Sequence, residues 1–95
     1  MISLTKHSLQ KLETLFQEIG YIIRYEKGNF NSGYCIVENR NIVIINKFFD
    51  TEARVGTLLD ILRNISFDAG ILSEKSAKFY EKIQEEKPEE TIEAD

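Results

Sequence analysis

The sequence predicts an α+β fold: a helix, a three-stranded antiparallel meander and two further helices, with the helices on one face of the sheet. Three observations lead there. Ile42, Val43, Ile44 and Ile45 run consecutively, and the stiff χ1 angles of β-branched side chains suit a pleated strand. Val55, Leu58, Leu59, Leu62 and Ile65 follow at helical spacing and form one apolar stripe. Earlier, Tyr21, Ile23 and Tyr25 alternate with Ile22, Arg24 and Glu26, the period of a strand with two different faces.

In chain order, Leu9, Leu12, Leu15, Phe16 and Ile19 predict a first helix over 5–19. Ser3 or Thr5 is placed to cap it, and Gly20 fits the left-handed position past its end. Lys6, His7 and Glu18 oppose the dipole of this helix, so it must depend on packing. Residues 21–27 form a strand, and Gly28-Asn29-Phe30-Asn31-Ser32-Gly33 is dense in turn formers. A strand over 34–38 and a tight turn at Asn39-Arg40 lead into the strand 41–46. Both faces of that strand are apolar, so it should be central and covered on at least one side. Asp50 then stands as the N-cap of a helix over 51–65, with Glu52 in its first turn. Gly56 costs that helix about 1 kcal/mol relative to alanine, and close approach of another backbone is the expected compensation. Glu52, Arg54, Asp60 and Arg63 fall off the apolar stripe and read as a solvated face. Ser73 can cap a third helix over 74–86 with a thin apolar face of Ala77, Tyr80 and Ile83, Phe79 lying at its margin.

The 95 residues make one domain, placed at 1–86, with an acidic tail at 87–95 expected to be disordered by composition. Net charge is −4, but residues 85–95 hold six acids against Lys87 alone. That segment carries −5, leaving +1 on residues 1–84. A nearly neutral body is a poor electrostatic footprint for nucleic acid. One cysteine excludes an internal disulfide and fits a reducing compartment. No segment approaches the roughly 20 apolar residues of a membrane span, and the first residues lack a signal-peptide pattern, so a cytoplasmic location is expected.

Few residues carry recognisable chemistry. His7 and Cys35 are the only residues of their kinds, too few for a zinc site, so no metal and no cofactor is expected. Cys35 reads as a small buried hydrophobe on a strand, with a Cys35–His7 nucleophile pair as the alternative. Gly28 and Gly33 bracket a loop that matches no phosphate-binding glycine pattern. Phe30 at its middle is either tucked onto the sheet or offered to a partner. Of Phe48 and Phe49, one should anchor the turn in the core and the other could be exposed beside Lys47. Tyr21, Tyr25, Tyr34, Arg24 and Lys27 suggest either cross-strand packing or a platform for stacking bases.

The pattern Ser32-Gly33-Tyr34, Asn41-Ile42-Val43-Ile44-Ile45-Asn46, Glu52, Arg54 and Thr57-Leu58 resembles the front part of the ImmA/IrrE-type zinc peptidases. The resemblance spans about residues 28–65. It implies a zincin-like strand-and-helix unit, but the two histidine positions fall on Asp60 and Asn64 and the glutamate position on Ile61. The metal motif is therefore missing, and peptidase activity does not carry over. The stretch from Tyr25 to Cys35, with Asn46-Lys47-Phe48-Phe49 and Glu52, is also similar to a family of small Bacteroidetes-type bacterial proteins. That similarity implies a source group and no activity.

The expected function is a non-catalytic protein-interaction or self-association domain, with homodimerisation through the sheet face or an edge strand. The candidate binding residues are Tyr25, Lys27, Phe30, Tyr34, Lys47, Phe48, Phe49 and Glu52. An enzyme is the alternative, with a polar and aromatic pocket between the 28–33 loop and the 46–52 turn. Glu26, Glu52 and Lys47 would be its polar groups, and Tyr25 or Tyr34 its proton donor. Weak single-stranded nucleic-acid binding is the third reading.

Overall fold

The structure is a computed structural model that describes residues 2–28, 33–37 and 40–85, with side chains left undescribed over 33–37. Phe30 and the acidic tail lie outside the described residues. The elements are α1 (Lys6–Glu18), β1 (Tyr21–Glu26), β2 (Gly33–Val37), β3 (Arg40–Asn46), α2 (Thr51–Asn64), a short 3-10 turn (Ala69–Ile71) and α3 (Glu74–Glu85). The caps follow the local sequence. Thr5 Oγ1 accepts from Ser8 N, Asp50 Oδ1 accepts from Ala53 N, and Ser73 Oγ accepts from Ser76 N. Gly20 takes φ +89, past the end of α1, where an L side chain would be strained.

The expected antiparallel meander is not what forms. The strand order is β1-β3-β2; β1 runs parallel to β3, from Tyr21↔Asn41 to Glu26↔Asn46, and β2 runs antiparallel to it, from Gly33↔Ile44 to Val37↔Arg40. Connection length and apolarity explain the difference. Only residues 38 and 39 separate β2 from β3, which forces those strands to be neighbours. Residues 27–32 separate β1 from β2, enough to step across two strand spacings of roughly 4.8 Å each. β3 is the most apolar strand and takes the centre, where both neighbours shield it. Arg40 pairs within β3 and is not part of the turn.

The core lies between one face of the sheet and the helices. Val43 and Ile45 are fully buried among Leu12, Leu15 and Phe16 of α1, Val55 and Leu58 of α2, and Phe79 and Ile83 of α3. Tyr21, Ile23 and Tyr25 of β1 pack against this cluster only partly buried. The opposite face carries Ile22, Arg24 and Glu26, all exposed, beside Ile42 and Ile44. On α3 the buried stripe runs through Ser76, Phe79 and Ile83, so Phe79 is central rather than marginal. Tyr80 instead meets Phe67, ring centroids 5.1 Å apart. The expected backbone approach at Gly56 is not found among the described residues: a Cβ there would meet none of them within 4 Å.

Candidate functional site

The parallel pair β1 and β3 ends at one edge of the sheet, and the chain turns there into α2. Ligands of open parallel sheets gather outside such carboxyl ends, and most of the expected site residues converge here. Lys47 N donates to Glu26 O at 2.8 Å, prolonging the β1–β3 ladder past the end of β3. Asn46 is buried, and its amide serves both neighbouring segments. Nδ2 donates to Gly28 O at 2.9 Å, and Oδ1 accepts from Phe48 N at 3.0 Å. Phe49 N donates to Asn46 O at 3.0 Å.

Arg54 completes the brace from the other side. Its Nε donates to Phe49 O at 3.0 Å and its Nη2 to Lys47 O at 2.9 Å. Its guanidinium carbon lies 4.6 Å from the centre of the Tyr25 ring, within cation–π range. The reading of Arg54 as part of a solvated face is therefore corrected. A sequence signal existed: a cation near the start of a helix opposes the dipole, so some tertiary contact had to compensate. The signal is not sufficient, since Lys6 and His7 break the same rule in α1 and stay exposed.

Tyr25 OH donates to Glu13 Oε2 of α1, a partner sequence reasoning missed. Burial and the Glu13 carboxylate raise the Tyr25 phenol far above its usual range, with Arg54 opposing weakly. Its proton is held by Glu13 and is poorly suited to donation in catalysis.

The turn therefore presents two phenylalanines in opposite senses. Phe49 is half-buried and packs against the core, while Phe48 is 73 % exposed, more than any other large apolar side chain among the described residues. Lys27, Lys47 and Glu52 are also exposed. Tyr34 is described only through its backbone, paired with Val43. Strand alternation separates the groups of the enzyme reading: Tyr25 faces the helices, whereas Glu26 is on the open face, 3.3 Å from Arg24. The same alternation takes Arg24 away from Tyr21 and Tyr25, so these residues form no joint stacking surface.

On α2, the positions matching the zinc-peptidase motif are occupied structurally. Ile61 is buried, and Asn64 Nδ2 donates to Asp60 O at 2.7 Å. Among the described residues no cluster of three or more His, Cys, Asp or Glu could hold a metal ion. No helix among them is long and apolar enough to cross a membrane. Compared with known protein families, curated proteins and solved structures, the chain matches none.

Proposed function

We propose that this chain is a non-catalytic protein-interaction domain whose recognition element is the braced turn Lys47–Asp50 presenting Phe48. The observation that carries this reading is an exposed aromatic on backbone that is already immobilised. Lys47, Phe48 and Phe49 are held by Glu26, Asn46 and Arg54, while the Phe48 side chain is 73 % exposed. Nothing in the fold requires an apolar group there. A partner that buries Phe48 gains about 1.5–3 kcal/mol of apolar transfer and loses little backbone entropy, because the turn is ordered beforehand. Aromatic anchors of this kind dominate interface energetics. Lys47 precedes Phe48 in the chain and Lys27 follows Glu26, the residue to which Lys47 N is bonded, and both lysines are exposed, so the fitting partner is a protein with an apolar cavity and an acidic rim.

The test is site-specific photocrosslinking of the full chain in its source cells, with a benzophenone amino acid at position 48 and, as control, at exposed Lys78 on α3. A discrete protein adduct is expected from position 48 alone, weakened by Lys47→Glu. Equal adducts from both positions, or none from position 48, would exclude this reading.

A further inference from the structure

The outer edge of β1 is chemically self-complementary, and we infer that it seats a second copy of this chain in antiparallel pairing centred on Tyr25. Glu26 O accepts from Lys47 N, so the backbone groups of Glu26, and by alternation of Arg24 and Ile22, address β3. Those of Ile23 and Tyr25 address the other side, where no hydrogen bond from the described residues reaches them. Native edge strands are usually protected by proline, a bulge or a covering segment. β1 contains no proline, and its register with β3 runs residue for residue without a bulge. The helix layer does not roof this edge, since Ile23 and Tyr25 on the helix side remain only partly buried, whereas Val43 and Ile45 on central β3 are fully buried.

Charge selects the occupant and the register. Arg24 and Glu26 lie two residues apart on the exposed face of β1. In an antiparallel pair with Tyr25 opposite Tyr25 of the second copy, Arg24 of each copy stands opposite Glu26 of the other. Tyr25 occupies the hydrogen-bonded position, so the Arg24–Glu26 pairs fall at the non-hydrogen-bonded positions, where side chains approach most closely. The two-fold axis then doubles every favourable contact. The six-stranded sheet that results further covers Ile23, and Ile22, 42 % exposed in the single chain, joins an extended apolar face.

Sedimentation equilibrium of the full chain from about 1 µM to about 1 mM tests this. The wild-type chain is expected to dimerise. Arg24→Glu or Glu26→Arg alone places like charges opposite each other twice and should weaken dimerisation about tenfold or more. An equimolar mixture of the two variants restores both attractions and should re-associate, as should the double variant R24E/E26R. Circular dichroism confirms that each variant folds. The inference is overturned by a wild-type chain that stays monomeric throughout, by a dimer indifferent to these reversals, or by variants that fail to recombine. Phe48→Ser should leave the dimer intact; loss of the dimer on that change would assign it to the turn instead. The Phe48 reading stands or fails separately, because its crosslink is read on another surface.

Discussion

Helices α2 and α3 are both capped amphipathic helices, yet they are attached in different ways. Helix α2 buries Val55, Leu58, Leu59, Ile61 and Leu62, and Arg54 ties its first turns to the β3 turn. Helix α3 buries only Phe79 and Ile83 among its large apolar side chains. Its start is held by Glu18 of α1, whose carboxylate accepts from Ser73 N at 2.8 Å and Ser73 Oγ at 2.9 Å. Lys11 adds a cation over the Phe79 ring, 5.3 Å from its centre. Apolar burial is non-directional and insensitive to pH, whereas a carboxylate clamp is neither. The same protein therefore contains one helix locked by its core and one fastened by a titratable strap, and α3 should be the first element to open.

The largest expected effect separates the two attachments at the core. Leu58→Ala removes a fully buried side chain from the single core cluster and should cost about 2–5 kcal/mol, seen as a global shift in urea unfolding. A loss confined to α2 amides would contradict the single core. Arg54→Ala comes next. It removes two charge-assisted bonds and the cation over Tyr25, and about 1.5–3 kcal/mol is expected, with hydrogen exchange quickening at 47–49 in particular.

Ser73→Ala deletes the α3 cap and one arm of the clamp, and should cost about 0.5–2 kcal/mol. Faster hydrogen exchange is expected over 74–85 with α2 unchanged. Acid sharpens the same contrast. The backbone hydrogen bond from Ser73 holds the Glu18 carboxyl below its ordinary 4.5; desolvation opposes it, and side-chain hydrogen bonds from Ser73 and Ser76 add to the lowering. A depressed folded-state value means that this contribution is present above about 4.5 and is lost as pH falls through the folded value. Amides of α3 should therefore lose protection at acid pH before those of α2, and Glu18→Gln should abolish that pH dependence. The smallest effect concerns α2 itself. Gly56→Ala adds a methyl to open space and should stabilise by roughly 0.4–1 kcal/mol in thermal unfolding; destabilisation would mean that a neighbour approaches the glycine after all.

Glu18 and Arg54 share a lesson. Each carries the charge that its own helix end disfavours, Glu18 near the end of α1 and Arg54 near the start of α2. Each serves another element: Glu18 sits at the start of α3, where negative charge is favourable, and Arg54 caps the carbonyls of the β3 turn. Sequence shows that such residues are misplaced locally. It does not show what they reach, because the partners lie 55 residues away for Glu18 and on a different strand for the Tyr25 contact of Arg54.

Features that depend on neighbours a few residues apart could be read from the amino acids alone. The helices, their caps at Thr5, Asp50 and Ser73, the Gly20 terminus and the alternating faces of β1 follow from period and local hydrogen bonding. The opposite fates of Phe48 and Phe49 were legible as alternatives. Strand pairing was settled by the assembled fold, because β1 has two chemically acceptable partners and the choice depends on how the whole apolar surface is covered. Placing β3 between β1 and β2 buries Val43 and Ile45 completely, and that gain in burial is a property of the assembled sheet, not of any one segment.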